Sequence, residues 1–363
     1  MKEKILKYTI FITGFICLYA FISIRIFPMY NITLVEKLIP GYWDHTKYGE
    51  LYYFNFIKKF REENLPEANI KHQYSTAQAN INDTDIFTFG DSFFDISRPI
   101  QYSTVLANTL NKKIHFGYND FPLQYLEANG YKGKDPKVLI LAFVERFIPI
   151  KFAVPRDTVL KIKKQLPPLT LSAKKVKDFI FYSKSEQMYD ALLKRSYLTT
   201  AAYTEIASKK FNWFSYISKY TPVYYLKDSI PWLFIDDEVD GRNTSFYYHF
   251  TDSEIENISN NIADLSKKLK KKYNITFVFL PLPAKYTLYH TKFNNDNYNQ
   301  FIPRLQQSLT NKGVAFVDIY SKFKNSDQTL YYGTDAHWND KGMRTAVNLT
   351  ITYLKENNLI NIK

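Results

Sequence analysis

The stretch that decides the fold is residues 85–93, Asp-Ile-Phe-Thr-Phe-Gly-Asp-Ser-Phe, in which an apolar run ends at a glycine. The β-branched and aromatic residues of Asp85–Phe89 predict a strand, and Gly90-Asp91-Ser92 predicts a tight turn directly after it. A helix is predicted from about Pro99 to Leu110. A serine in such a turn lies at the C-terminal edge of a sheet, where free N–H groups and a helix dipole stabilise negative charge.

Further strands and helices alternate after this stretch. Strands predicted at Lys113–Phe116 and Lys137–Val144 complete a βαβαβ half. The elements predicted after residue 250 are helices at Asp252–Lys272 with Ser253 as N-cap, Tyr298–Thr310 and Asp340–Glu356, and strands at Ile275–Leu280 and Val314–Ile319. This pattern predicts an α/β domain whose mostly parallel central sheet is covered by helices on both faces.

An interruption separates the two halves of this domain. From Ile148 to about Phe250 the alternation fails, and Pro167-Pro168 and Asp240-Gly241 are turn signals. We interpret the region as an inserted lid or side subdomain. It carries much of the net charge of +13, because Lys151–Asp228 has 15 Lys and Arg against 6 Asp and Glu. Such a region attracts an acidic polysaccharide or anionic lipid headgroups, or it is a solvated lysine-rich surface.

The N-terminus carries an uncharged, largely apolar run, Tyr8–Ile24, between Lys7 and Arg25. Its 17 residues are at the lower end of the length that spans a bilayer. The lysines before the run predict a cytoplasmic N-terminus and an extracytoplasmic, periplasmic catalytic part. No small-x-small cleavage site lies between Ala20 and Asn31, which favours an uncleaved single-pass anchor in the inner membrane over a signal peptide or a buried helix.

Cysteine and histidine usage excludes two kinds of stabilisation. The single cysteine, Cys17, lies in the apolar run, so the exported part holds no intramolecular disulfide. No cysteine and histidine cluster has the spacing of zinc ligands, so no metal site is predicted. The predicted organisation is a cytoplasmic tip and transmembrane anchor at 1–30, a stalk at 31–80, the sheet domain's first half at 81–150, the insertion at 151–250 and the second half at 251–363.

A second chemical motif, Thr334-Asp335-Ala336-His337-Trp338-Asn339, follows the last predicted strand. A serine hydroxyl is a weak nucleophile near neutral pH, so it needs an imidazole to take its proton and an acceptor that fixes the imidazole tautomer. We therefore predict Ser92 as nucleophile, His337 as general base and then general acid, and Asp335 as its orienting partner. Taken alone, Asp335 could instead cap the last helix, and His337 could be a surface residue.

The two motifs together resemble a known family. Gly-Asp-Ser-Phe at 90–93 and Asp-x-His-Trp at 335–338 are similar to the motifs of SGNH-type O-acetyltransferases that modify bacterial exopolysaccharides, as in alginate acetylation. Val-Glu-Arg-Phe at 144–147 and Pro-Leu-Pro-Ala-Lys-Tyr at 281–286 resemble two further segments of those proteins. The serine block comes first here, as in ordinary SGNH hydrolases and peptidoglycan O-acetyltransferases, whereas the alginate proteins have the reverse order. The resemblance implies a flavodoxin-like, three-layer α/β/α SGNH domain.

The resemblance also implies an oxyanion hole. The Ser92 N–H and Gly117, which follows the second predicted strand, would hold the tetrahedral oxygen. A simple turn residue is the alternative interpretation of Gly117.

Four further residues are candidates for binding substrate. Arg146 is predicted to bind substrate or to stabilise the active-site loop, with a structural salt bridge near Glu145 as the alternative. Lys285 and Tyr332 are lesser candidates, for which core packing or surface exposure is an equal explanation. Trp338 would stack on a sugar ring or separate the triad from water.

The predicted function is transfer of an acetyl group, through an acyl-Ser92 intermediate, to hydroxyls of a cell-envelope polysaccharide or exopolysaccharide. The resemblance implies that a multipass membrane acyltransferase supplies the acyl group, since acetyl-CoA is not available outside the cytoplasm. No cofactor is required, and nucleic acid is disfavoured as a partner by the outward topology. An esterase with the same triad and a non-catalytic scaffold of a polysaccharide export complex are the alternatives.

Overall fold

The computed structural model divides the chain into two compact units. The sheet unit comprises His45–Asn55, Lys59–Ile162 and Ile217–Lys363, and the second unit comprises Met1–Asp44, Phe56–Lys58 and Lys163–Tyr216. The residues that the structure describes are 2–25, 49–62, 79–94, 101–117, 121–133, 135, 137–153, 197–218, 221, 223–224, 231–239, 246–292 and 297–360.

The sheet unit alternates strands and helices as the sequence pattern predicts. In its first part the elements are α2 (Tyr52–Asn55), β1 (Ile86–Gly90), α3 (Tyr102–Leu110), β2 (Ile114–Gly117), α4 (Pro122–Ala128), β3 (Lys137–Val144) and α5 (Phe147–Phe152). In its second part they are β4 (Val223–Tyr224), β5 (Trp232–Leu233), α7 (Asp236–Val239), α8 (Asp252–Tyr273), β6 (Ile275–Leu282), α9 (Lys285–Tyr289), α10 (Phe301–Asn311), α11 (Ile319–Lys324) and α12 (Asp340–Glu356).

The main sheet has the strand order β2-β1-β3-β6, and its strands are all parallel. This is the order of the first four strands of a flavodoxin-like sheet, in which ligands bind where the order reverses, between β1 and β3. The predicted strand at Val314–Ile319 is wrong in extent. Only a parallel bridge between Phe316 and Phe279 forms, because the Asp318 side chain accepts a hydrogen bond from Ser321 N–H and caps α11, which begins at Ile319.

Helices cover both faces of this sheet. All five residues of β1 are buried, as are seven consecutive residues of β3. Because successive side chains of a strand point to opposite faces, burial at every position requires cover on each side. Helix α3 packs against α12, and α8 packs against α4, α5 and α10. The predicted α/β fold with a parallel sheet is therefore confirmed.

The cap of α8 differs from the prediction. The N-cap is Thr251, whose side chain accepts from the Glu254 N–H at 3.2 Å while the Glu254 carboxylate accepts from the Thr251 N–H at 2.8 Å. This reciprocal capping box satisfies two N–H groups at the start of the helix. The predicted start of α3 at Pro99 lies outside the described residues.

Parts of the predicted stalk and of the predicted insertion belong to the sheet unit. From the stalk, residues 49–55 and 59–62 do so, with Leu51 and Phe60 fully buried. From the insertion, the antiparallel pair β4-β5 and the buried residues Phe234 and Phe246 do so as well. The turn signals at 167–168 and 240–241, and most of the basic region, lie outside the described residues.

The second unit contains α1 (Lys2–Arg25) and α6 (Tyr197–Phe214). Helix α1 has 24 residues, and several of its large apolar side chains are exposed, among them Ile10 and Phe11. Within the described residues, however, no helix combines the length and the apolar character that crossing a bilayer requires. The structure thus gives no support to the predicted transmembrane helix.

Candidate active site

Ser92, His337 and Asp335 come together at the C-terminal edge of the sheet. Ser92 begins a 3₁₀ turn directly after β1, and its hydroxyl lies 2.7 Å from His337 Nε2. His337 Nδ1 lies 2.6 Å from Asp335 Oδ1. With Nδ1–H donating to the carboxylate, Nε2 is free of a proton and accepts the Ser92 O–H. The arrangement is that of a nucleophile, a general base and an orienting acid.

The turn that presents Ser92 is tied to the neighbouring strand. Gly90 allows the close approach, since a Cβ there would lie 2.7 Å from the Ala142 carbonyl oxygen of β3. The Asp91 carboxylate accepts from the N–H groups of Phe93, at 3.0 Å, and of Val144, at 2.7 Å. Burial raises the pKa of Asp91, and these N–H groups oppose that shift. Sequence reasoning assigned no role to Asp91, although its place within Gly-Asp-Ser was a signal.

The loop that carries Asp335 and His337 is a tight turn whose two ends run antiparallel to each other. Tyr331 and Trp338 form an isolated bridge, and Tyr332 N–H donates to the His337 carbonyl oxygen at 3.2 Å. Asn339 caps α12 by accepting from Gly342 N–H, so Asp335 does not have that role. Both triad residues of the loop are 1% exposed. His337 is therefore not a surface residue, and the Ser92 hydroxyl is the half-buried end of the triad.

Residues of the sheet unit from 49–55 and 59–62 also hold this loop. Glu50 N–H donates to Asp335 Oδ2 at 3.0 Å, and Leu51 N–H donates to the Thr334 carbonyl oxygen at 3.0 Å. The Glu62 carboxylate accepts from the N–H groups of Gly333 and Thr334, at 3.1 and 2.8 Å. No motif marks these residues in the sequence, and the prediction of a stalk missed them.

Lys285 holds the loop from within. Its buried ammonium group donates to the carbonyl oxygens of Tyr332, Gly333 and Asp335 at 3.1, 2.9 and 2.8 Å. Burial lowers the pKa of Lys285 to about 8, and the nearby carboxylates, Glu238 first among them, oppose that shift. Of the alternatives that the sequence left open, the structure thus places Lys285 in the core, where it stabilises the loop rather than facing a substrate.

Arg146 is also buried. Its Nη1 lies 2.5 Å from Glu238 Oε1, and the two residues are 5% and 1% exposed. Next to it, the buried Glu145 carboxylate accepts from Tyr298 O–H and from Thr287 O–H, the latter at 2.6 Å. Burial raises the pKa of Glu145 to about 7. The structure thus shows the salt bridge alternative for Arg146, with a partner from the predicted insertion, and substrate binding by Arg146 stays a prediction.

The remaining predicted site residues, Gly117, Trp338 and Tyr332, differ in their packing and burial. Gly117 pairs with Phe89 in the sheet, and a Cβ there would lie 2.1 Å from the Phe89 ring, so packing alone requires glycine. Its part in an oxyanion hole stays a prediction. Trp338 is 5% exposed, with its ring stacked on Tyr102 and edge-on to Phe93, which leaves no open ring face for a sugar. Tyr332 is half-buried at the start of the loop, and its role in binding substrate stays a prediction.

One cluster of side chains beside the triad has the composition of a metal site. Among the described residues, one group of three potential ligands lies close together, Glu50, Asp335 and His337, whose nitrogen and oxygen atoms fall within 4.8 Å of one another. Both imidazole nitrogens of His337 already have partners in the triad. The hydrogen-bond geometry therefore accounts for this group, and the prediction that no metal is needed stays a prediction.

Comparison with known proteins supports this interpretation of the site. Residues 229–361 match the family model described as SGNH hydrolase-like domain, acetyltransferase AlgX. This part of the chain is SGNH hydrolase-like. The resemblance inferred from the motifs is thereby confirmed, and the match includes Asp335 and His337, whereas Ser92 precedes it. An SGNH hydrolase-like domain indicates an enzyme of acyl transfer or hydrolysis.

Two other comparisons were made, with solved structures and with curated proteins. A solved structure described as a GDSL-like lipase from Parabacteroides merdae aligns over 81% of this chain and 100% of its own, with 12% identity and a TM-score of 0.34. The search of curated proteins finds no match.

Proposed function

We propose that this protein is an O-acyltransferase that moves an acetyl group, through an acyl-Ser92 intermediate, to hydroxyls of a bacterial cell-envelope polysaccharide or exopolysaccharide. The observation that carries the proposal is the hydrogen-bonded series Ser92, His337 and Asp335 at the edge of a parallel sheet. The match of residues 229–361 to an acetyltransferase family supports transfer as the reaction.

The geometry performs the first half of such a reaction as follows. Ser92 Oγ attacks the carbonyl carbon of the acyl donor while His337 Nε2 takes the hydroxyl proton. The Asp335 carboxylate stabilises the resulting imidazolium and keeps its orientation. The tetrahedral oxygen is held by the Ser92 N–H and, as proposed, at Gly117. Collapse breaks the bond to the donor's leaving group, which receives the proton from His337, and leaves the acyl-serine.

The second half uses the same groups in reverse. A sugar hydroxyl loses its proton to His337 Nε2 as its oxygen attacks the acyl-serine carbonyl. The Ser92 oxygen leaves with that proton, and the acylated sugar is released. Transfer instead of hydrolysis requires that water compete poorly with the sugar. His337 is buried behind Phe93, whose ring centroid lies 4.6 Å from the imidazole, so the half-buried Ser92 is the triad residue that a donor and an acceptor would reach.

The location and the donor are part of the proposal. We place the sheet unit outside the cytoplasm, with a multipass membrane acyltransferase as donor, on the strength of the apolar run Tyr8–Ile24 after its lysines. The chain's single cysteine, Cys17, is itself exposed, so a Glu356→Cys variant made together with Cys17→Ser has its one thiol at the end of α12. In whole cells this thiol should react with a membrane-impermeant maleimide. Labelling only after the cytoplasmic membrane is opened would contradict the location.

The enzymatic proposal is tested with the purified chain, a chromogenic acetyl ester and an oligosaccharide acceptor, with Ser92→Ala as the matched variant. We expect Ser92-dependent ester cleavage that produces acetylated oligosaccharide, detected by mass spectrometry. Free acetate alone, at a rate that no acceptor changes, would replace the transferase with an esterase. Equal turnover by Ser92→Ala would refute the assignment of the nucleophile.

A further inference from the structure

A second carboxylate lies beside the imidazole of the triad. Glu50 Oε1 is 3.4 Å from His337 Nδ1, the nitrogen that donates to Asp335 at 2.6 Å. The Glu50 side chain is 24% exposed, so it reaches the buried imidazole from a partly solvated position. A Ser-His-Asp mechanism needs one acidic partner, and two face the same nitrogen here.

The backbone holds this carboxylate in place. Gly49 adopts a φ of +82°, and a Cβ there would lie 2.3 Å from the Thr334 carbonyl oxygen, so glycine lets the segment run against the loop. Glu50 N–H then donates to Asp335 Oδ2, and Leu51, which is fully buried, donates its N–H to Thr334. The main chain thus holds Glu50 next to Asp335, and the Glu50 side chain lies beside the same His337 nitrogen as the Asp335 carboxylate.

We propose that Glu50 is a positioning residue for His337, a second acidic partner that stabilises the imidazolium formed in both halves of the reaction. The inference rests on the proposed Ser92 and His337 chemistry and deepens it. Positive charge develops on the imidazole only as the proton leaves Ser92, so a negative group 3.4 Å away acts on the transition state more than on the bound substrate. Its loss should therefore lower kcat and leave KM unchanged.

The decisive variant is Glu50→Gln, which keeps the side-chain shape and the N–H bond to Asp335 and removes only the charge. We expect kcat for Ser92-dependent ester cleavage to fall by about tenfold with KM unchanged. Glu50→Asp, which keeps the charge on a shorter side chain, should recover part of the loss. Glu356→Gln, an exposed glutamate at the end of α12, is the matched control and should behave as wild type.

A double-variant comparison separates an electrostatic role from a structural one. Asp335→Ala removes the first acceptor together with the hydrogen bond from Glu50 N–H, while Leu51 N–H still donates to Thr334 and keeps Glu50 as the remaining carboxylate near Nδ1. If both act on one imidazole, Glu50→Gln costs more in the Asp335→Ala background than alone, and the double variant falls to the level of His337→Ala. Equal losses in both backgrounds would overturn the shared role.

Two outcomes distinguish this inference from the proposed function. Wild-type kcat in Glu50→Gln, with turnover still abolished in Ser92→Ala, would overturn the role of Glu50 and leave the triad standing. Turnover that survives in Ser92→Ala would overturn both. A third outcome would assign Glu50 to folding alone and reject the proposal. In it, Glu50→Gln melts at a lower temperature than Glu356→Gln, its kcat falls only because part of the protein is unfolded, and Glu50→Asp recovers neither.

Discussion

Replacement of Lys285 by methionine tests how the catalytic loop is held. Methionine keeps an apolar stem against Trp232 and Phe234, near whose rings the ammonium group lies, but it donates no hydrogen bonds. The three hydrogen bonds to the loop carbonyls are lost, at roughly 2 kcal/mol each for a charged donor. Part of this loss is offset, because the variant no longer bears the cost of burying the Lys285 charge. The shift of the Lys285 pKa from 10.5 to about 8 corresponds to about 3 kcal/mol.

The net expectation is a loss of about 3 kcal/mol in the free energy of unfolding, or a melting temperature lower by about 5–10 °C. The activity should fall by more than partial unfolding explains, because the Asp335 carbonyl oxygen loses its hydrogen bond from Lys285. We expect kcat for Ser92-dependent ester cleavage to drop by at least about tenfold at a temperature where the variant is folded.

The pH dependence gives an independent check on Lys285. Between pH 10.5 and about 8 the unfolded chain binds a proton that the folded chain does not, so wild-type stability is lost as the pH falls through this range. Lys285→Met should lack that loss. The matched control is Lys292→Met, since the exposed Lys292 ammonium also lies near the Trp232 ring, at 5.7 Å, without bonding the loop. Unchanged kcat and melting temperature in Lys285→Met would refute the reasoning.

Three other perturbations have defined outcomes. Asp335→Asn presents an amide where Nδ1–H needs an acceptor, so kcat for ester cleavage should fall by about 10³–10⁴ with little change in KM, and a loss below tenfold in steady-state kinetics would contradict the triad. Burial raises the pKa of Glu145 from 4.5 to about 7, so the stability that it contributes below pH 4.5 is lost as the pH rises through 7, by about 3 kcal/mol. Urea unfolding should therefore give a lower free energy of unfolding at pH 8 than at pH 5 in wild type but not in Glu145→Gln. The same difference between the two pH values in both proteins would disprove this. Gly117→Ala should cost about 1–3 kcal/mol, because the new methyl group overlaps the buried Phe89 ring, and an unchanged thermal unfolding curve would show that the sheet edge relaxes freely.

Local sequence patterns were sufficient for the four strands of the main sheet and for the residues of the triad. The strand Lys137–Val144 was predicted with the bounds that the structure has, because a continuous apolar run of that length is typical of a strand buried on both faces. The last helix was likewise predicted at Asp340–Glu356, where apolar residues recur at helical spacing. Ser92 was identified from its place after β1, and Asp335 and His337 from the Asp-x-His spacing and the family resemblance, so two short motifs far apart in the chain carry enough information.

The patterns failed where a hydrogen bond or a cap decided the outcome. Thr251 rather than Ser253 caps α8, since only the former pairs reciprocally with Glu254. The predicted strand at Val314–Ile319 shrinks to one bridge, since Asp318 begins a helix within it. β-Branched residues favour a strand there, and a single capping side chain overrides that preference.

The sequence by itself determined the fold class and the chemistry of the site, because hydrophobic periodicity and strand-end motifs are local properties of the chain. Only the tertiary structure decided which residues hold that chemistry in place. Lys285 and Arg146, for which the sequence left substrate binding and structural roles open, are buried with partners 47 or more residues away, and Glu50 reaches Asp335 across 285 residues. Such partners leave no spacing or composition signal, because a buried charge is satisfied by whichever group the fold brings within hydrogen-bond distance.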